Sequence, residues 1–253
     1  MIISNLFKNL RKNGSKAFIP YFTAGFPTLE KSLEIVGTAE ANGADLIEIG
    51  YPFSDPVADG KTIQFSSQIA LEQGITLKSM LERFAESRFT VPLILMSYIN
   101  PLMSYGDGLM SDLAASGFSG LVVPDLPLEE ASAWSKRANS CGIDLVLLVT
   151  PTSGPERIRK IAALARGFIY CVSLTGTTGS RSSLAPDTAG FLASVREITT
   201  KPLCLGFGIS TPEQAAQAAV FADGVIVGSR LVEAIRAGED VAGLVKEFRT
   251  AVN

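Results

Sequence analysis

The chain has 253 residues, of which 47% are hydrophobic and 19% charged, and Lys+Arg 22 against Asp+Glu 25 leaves a net charge of −3. This is enough for one large α/β domain or two small ones, and a near-neutral chain without a long basic run has no general attraction for nucleic acid. Histidine is absent, which removes the imidazole general base, the Ser-His and Cys-His nucleophile pairs, and any imidazole-ligated metal site.

The opening Met1-Ile-Ile-Ser-Asn-Leu-Phe-Lys8 lacks the basic-then-apolar order of a signal peptide. No apolar run approaches the ~18 residues of a membrane span. The expected location is cytoplasmic. Cys141, Cys171 and Cys204 are scattered and odd in number, which fits a reducing compartment and buried thiols.

A leading helix is expected over Ile3–Lys12. Short apolar runs of strand length then follow at Ala17–Phe22, Leu46–Ile49, Pro92–Met96, Gly120–Val123, Asp144–Val149, Phe168–Val172, Pro202–Leu205 and Gly224–Val227. Helical patterns fill the gaps at Thr28–Ala41, Ile69–Glu72, Lys78–Ser87, Leu109–Ala115, Glu129–Ser140, Pro155–Ala165, Asp187–Ile198, Thr211–Ala219 and Val241–Val252. An echo runs through the chain: Ala41-Asn-Gly43, Ala115-Ser-Gly117, Ser140-Cys-Gly142 and Ala222-Asp-Gly224 each lead from a helix end into an apolar strand. Eight such βα units in about 250 residues predict a single (β/α)8 TIM barrel spanning 1–253, with the extra N-terminal helix closing its bottom. An open doubly wound sheet is the rival architecture.

The stretch Glu48-Ile-Gly-Tyr-Pro-Phe-Ser-Asp55-Pro-Val-Ala-Asp59-Gly60 holds most of the chemistry. Gly50 and Pro52 break the strand that ends near Glu48. A parallel strand is buried on both faces, so Glu48 would enter an apolar interior, where a carboxylate is costly unless paired or put to use. Glu48 and Asp59, across one turn, suggest paired acid–base work. A strand-end salt bridge and an Asp-rich turn are the plainer readings of the same residues. Late in the chain, Leu205-Gly206-Phe207-Gly208-Ile209-Ser210 follows the seventh strand, and Val227-Gly228-Ser229-Arg230 follows the eighth and opens a helix. Glycines and a helix N-terminus in this place suit a phosphate. Gly176-Thr177-Thr178-Gly179-Ser180 forms a third glycine-rich stretch after the sixth strand.

Five segments together resemble the tryptophan synthase α chain: Phe22-Thr-Ala-Gly25-Phe-Pro27, the Glu48–Gln64 stretch, Tyr98-x-Asn100-Pro101, Pro124-Asp-Leu-Pro127-x-Glu-Glu130, and Gly206-Phe-Gly208-Ile-Ser210. The matches cover about residues 17 to 230. The resemblance implies a lyase that cleaves indole-3-glycerol phosphate to indole and glyceraldehyde 3-phosphate by a retro-aldol step without a cofactor. It implies Glu48 and Asp59 as the catalytic acids, with Tyr170 beside them. Tyr21, Met96 and Phe207 would line the indole slot, Thr178 and Gly179 would lie in a closing loop, and Gly208, Gly228 and Ser229 would hold phosphate. The family works as an α2β2 heterotetramer with a β chain that carries pyridoxal phosphate, and Pro52, Asp55, Asn100 and Pro127 match its contact surface. Departures at Tyr51, Lys61 and in the loop after strand six leave both acids in place. Two rivals stand beside this reading. Another phosphosugar barrel enzyme would call for a strand-end Lys, a Cys–Asp pair or His–metal ligands at the rim, and a regulatory subunit would bind phosphosugar without turnover.

Overall fold

Eight parallel strands close on themselves in chain order: β1 (Ala17–Thr23), β2 (Ile47–Gly50), β3 (Leu93–Met96), β4 (Phe118–Val122), β5 (Asp144–Val149), β6 (Ile169–Val172), β7 (Leu203–Gly206) and β8 (Gly224–Val227). The computed structural model describes residues 2–172, 187–206 and 208–253. The pairing of β1 with β8, from Ala17 opposite Gly224 to Pro20 opposite Val227, excludes the open sheet. Around the barrel lie α1 (Ile2–Lys12), α2 (Leu29–Ala41), α3 (Lys61–Glu72), α4 (Leu77–Ser87), α5 (Ile99–Tyr105), α6 (Leu109–Ala115), α7 (Leu128–Ser140), α8 (Pro155–Leu164), α9 (Thr188–Ile198), α10 (Pro212–Phe221), α11 (Ser229–Ala237) and α12 (Val241–Val252). Among the described residues no helix is long and apolar enough to cross a membrane.

Strand alternation divides the core into two shells. Phe18, Phe22, Ile47, Ile49, Leu93 and Leu95 pack outward under the helices. Ile19, Tyr21, Leu46, Ile94, Met96, Val122, Val146 and Tyr170 fill the barrel interior. Glu48 lies between outward Ile47 and Ile49, so it faces inward, and it is 2% exposed. The floor is plugged by α1. Ile3 and Phe7 are buried there, and the Phe7 ring lies 5.7 Å from that of Phe168. Gly120 makes room for the plug, since a Cβ on it would sit 2.8 Å from Ile3 Cδ1.

The helix stops at Gly43, Gly117 and Gly142 all have positive φ, as the repeated pattern predicts. The fourth echo differs. Gly224 lies inside β8, where a Cβ would meet Cys204 Sγ at 2.8 Å, so its glycine answers to interior space and not to a turn. Helix entry is set by side-chain caps at Thr28, Thr76, Thr211 and Asp240. Two helices depart from the pattern. α3 begins at Lys61, well before Ile69, and α5 was not anticipated as a helix.

Candidate active site

The C-terminal end of the barrel brings the predicted acids and tyrosines together. Tyr21 pairs with Glu48 across β1 and β2, and Gly50 pairs with Met96 across β2 and β3. Two inward glycines let two tyrosine rings into this layer. A Cβ on Gly50 would lie 2.0 Å from the Tyr21 hydroxyl oxygen, and one on Gly206 would lie 2.6 Å from the Tyr170 ring. The Tyr170 hydroxyl is within hydrogen-bonding reach of the Glu48 carboxylate. Glu48 Oε1 has no hydrogen-bond partner among the described residues. A buried carboxylate oxygen left this way is unusual in folded proteins, and a proton, a water or a ligand can satisfy it.

Burial, first, and then the nearby Asp59 charge push the Glu48 carboxyl up from the usual range to about 8; the Tyr170 hydrogen bond opposes this. Asp59 is half-buried on the loop between β2 and α3. Burial raises it to about 6, against a hydrogen bond from Tyr98. The two carboxyls therefore separate near neutral pH, with Glu48 protonated and Asp59 largely ionised. That split is the usual mark of an acid and an ionised partner sharing one site.

Tyr98 is a residue that sequence reasoning passed over, although its motif was noticed. It is buried at the head of α5. Its hydroxyl accepts the Ala58 N–H at 2.9 Å and donates to Asp59, and its ring stacks on Phe53 at 5.2 Å. One side chain thus holds the acid-bearing loop at its middle and its end. Gln64 Nε2 reaches back from α3 to the Asp59 carbonyl at 2.8 Å. A second brace runs from Tyr21, hydrogen-bonded to Thr23, through Thr23 Oγ1 to Ser66 Oγ at 2.6 Å. The sign that could have revealed Tyr98 is its place directly after a strand, where barrel enzymes keep their functional side chains.

Beyond β7 and β8 the two helix starts differ. α10 is capped by its own residues, with Gln214 accepting from Thr211 through the Thr211 capping box and from the Ser210 N–H at 2.7 Å. α11 follows Gly228, which supplies no side-chain cap. Its first N–H groups are therefore available to an anion, with the helix dipole in favour. Gly208 is exposed after β7, and Gly228 and Ser229 are half-buried; Gly228 lies against Tyr21, whose Cβ would be 3.4 Å from an added Cβ. Thr178, Gly179 and Phe207 lie outside the described residues.

Pro52 and Asp55 sit on the loop after β2, Asn100 in the first turn of α5 after β3, and Pro127 on the loop after β4, three adjacent strands of the rim. Asp55, Asn100 and Pro127 are exposed, whereas Pro52 is buried in its own loop. Asp125 Oδ1 accepts the Ile99 N–H at 2.9 Å and ties the loop after β4 to the start of α5. Val57, on the loop after β2, and Met103, on α5, are strongly exposed apolar side chains on the same rim. Among the described residues no group of three or more His, Cys, Asp or Glu converges as a metal site.

The family model described as "Tryptophan synthase alpha chain" matches residues 7–252. The chain belongs to the tryptophan synthase alpha chain family. A tryptophan synthase alpha chain of Picosynechococcus is 46% identical over 252 residues, covering 97% of this chain and 96% of the relative. That of Geobacter sulfurreducens is 44% identical over 259 residues, covering 99% and 98%. Among solved structures, tryptophan synthase subunit alpha of Legionella pneumophila superposes with a TM-score of 0.90 at 36% identity, covering 99% and 97%. A tryptophan synthase structure from M. tuberculosis gives 0.90 at 32% identity, covering 99% and 98%. The tryptophan synthase alpha family places this chain among the lyases of tryptophan biosynthesis.

Proposed function

We propose that this chain cleaves indole-3-glycerol phosphate to indole and glyceraldehyde 3-phosphate, with Glu48 transferring the protons and Asp59 stabilising the charge on the ring. The observation that carries the reading is the buried Glu48 carboxyl, raised to about 8 with an unpartnered Oε1, beside an Asp59 held near 6. Indole C3 is a poor carbanion leaving group, so it must be protonated before the C–C bond breaks. Protonated Glu48 gives its proton to C3, and the positive charge that builds at the ring N–H is met by the Asp59 carboxylate. The C3–side-chain bond then breaks as the adjacent hydroxyl becomes an aldehyde, and the hydroxyl proton returns to Glu48. The proton count closes on one carboxyl, and no cofactor is required by the sequence of steps.

Tyr170 would orient Glu48, and Tyr98 would position Asp59. Tyr21 and Met96 would line the indole slot, and Phe207 completes it by family resemblance. Gly208, Gly228, Ser229 and the N-terminus of α11 would hold the phosphate, with Thr178 and Gly179 closing over it. No lysine occurs in the eight strands, which disfavours a Schiff-base aldolase.

The partner in this reading is a tryptophan synthase β chain, in an α2β2 assembly that keeps pyridoxal phosphate on the β side. The rim segments carrying Pro52, Asp55, Asn100 and Pro127 would meet it. The test is indole release from indole-3-glycerol phosphate by the purified chain, with and without the β chain, using Glu48→Gln as control. Release by the native chain and its loss in Glu48→Gln are expected. Substrate binding without indole release under either condition would overturn the lyase reading and favour a regulatory subunit.

A further inference from the structure

At the end of the barrel opposite Glu48, α1 does not seal the floor completely. A cleft of about 290 Å3 remains between it and the approaches to β6 and β7, lined by Ser4, Phe7, Lys8, Arg11, Arg166, Gly167, Thr200, Lys201 and Pro202. Four of the nine are cations and none is an acid, in a chain whose net charge is negative. We propose that this cleft is a second ligand site, for a small organic anion: a carboxylate or phosphate monoester with a flat apolar body.

The charge is concentrated by the fold. No acidic residue occurs before Glu30, so α1 brings only positive charge to the floor. The two acids near the cleft leave it positive. Asp223 is engaged by Arg196 and by the Leu203 N–H at 2.9 Å, and reaches Arg11 only at 3.5 Å. Asp144 is buried inside the barrel, with one carboxylate oxygen unpartnered among the described residues. Burial pushes its carboxyl up, and Arg166 and Lys201 are among the charges that oppose this. Burial and then the neighbouring Arg166 push the Lys201 ammonium down, against the pull of Asp144, as expected where two cations lie close; Lys201 Nζ also donates to the Ala165 carbonyl. Arginine forks suit carboxylate and phosphate oxygens. Phe7, Pro202 and the Gly167 backbone supply an apolar wall, and Ser4 and Thr200 supply hydroxyls at its edge. Apolar walls with a few converging polar groups are the usual make-up of a small-molecule site.

The experiment is an amide-shift NMR titration of the full chain with phenyl phosphate, benzoate and inorganic phosphate at a constant ionic strength of about 50 mM, below the level at which screening shortens to about 10 Å. Saturable shifts at Ser4, Gly167, Thr200 and Lys201 are expected, with an affinity of their own, apart from any shifts at Gly228 and Ser229. Phenyl phosphate or benzoate should bind the floor more tightly than inorganic phosphate. The double variant Lys8→Glu with Arg11→Gln alters two exposed side chains and should weaken floor binding at least tenfold, about 1.4 kcal/mol, leaving the rim shifts unchanged. Lys8→Arg should retain binding. Absence of saturation at the floor up to about 10 mM probe, roughly 2.7 kcal/mol of binding at that limit, overturns the proposal. So do shifts confined to the rim or equal affinity in the double variant. Inorganic phosphate binding as tightly as both aromatic probes overturns the assigned ligand class.

Discussion

Replacing Glu48 by Gln should change how the stability of this protein depends on pH as well as its turnover. The folded carboxyl titrates near 8, against 4.5 for the ordinary side chain. Between those values the folded state holds a proton that the unfolded state has released. Stability therefore falls as pH rises through this window, and the penalty is absent below the unfolded value. At about 1.4 kcal/mol per pH unit, the fall is of the order of 3 kcal/mol between about pH 5 and 7.5. Because Glu48 is 2% exposed, solvent screening does little to reduce it. Glutamine cannot ionise, so its own burial cost is the same at every pH. Urea unfolding of both proteins across this range should give a native chain that loses stability relative to Glu48→Gln as pH rises. The slope left in the variant should lie nearer pH 4 to 6, where half-buried Asp59 and the other raised carboxyls, Asp144 among them, take up protons in the folded state. Parallel curves would refute the argument, because they would mean that Glu48 is ionised in the folded protein at neutral pH and cannot be the resting acid.

Tyr98→Phe removes the donor to Asp59 and the acceptor for the Ala58 N–H; turnover should drop ~10-fold or more, and the acid limb of the pH–rate profile should move upward as Asp59 becomes harder to ionise. An unmoved limb would leave Tyr98 a packing residue. Gly50→Ala places a methyl 2.0 Å from the Tyr21 hydroxyl oxygen, and thermal or urea unfolding should register a loss of about 1–3 kcal/mol with impaired turnover. Gly228→Asp sets a carboxylate at the open start of α11; KM for the phosphorylated substrate should rise at least about tenfold while the fold, checked by circular dichroism, is kept. Asp59→Asn should lower kcat far more than it weakens substrate binding, measured by titration with the substrate on the Glu48→Gln background, since the charge it meets develops only in the transition state.

The strands and most helices were legible in the chain because apolar runs of strand length, amphipathic periods and glycine stops are local signals. Asp144–Val149 and Gly224–Val227 match their predicted bounds. The burial of Glu48 was legible too, since a parallel strand is covered on both faces; that it points into the barrel was decided by Ile47 and Ile49 facing the helices. Where local preference and packing disagree, packing decided. The first half of α3, Lys61-Thr-Ile-Gln-Phe-Ser-Ser-Gln68, is rich in residues of modest helix propensity, yet it is helical with Ile63, Ser66 and Ser67 buried and Ser66 tied to Thr23. α5 contains Pro101 and spans seven residues, too few for a periodic pattern to emerge.

Residue chemistry suggested Glu48 and Asp59 as a pair and the family motifs pointed to the same two, but neither could set their ionisation. That depends on how much water the closed barrel removes from Glu48 and on the distance at which Asp59 is held, both of which are sums over contacts remote in sequence. The same is true of the tyrosine sites beneath Gly50 and Gly206, of Tyr98 bridging the Asp59 loop to α5, and of the cationic cleft under α1. Sequence by itself determined the order of βα units, and it singled out Glu48, Asp59 and the glycine-rich stretches after the late strands as candidates. Tertiary structure decided closure through β1 and β8, and it decided which charges lie together, because proximity across a barrel is fixed by strand register and side-chain volume and not by spacing along the chain.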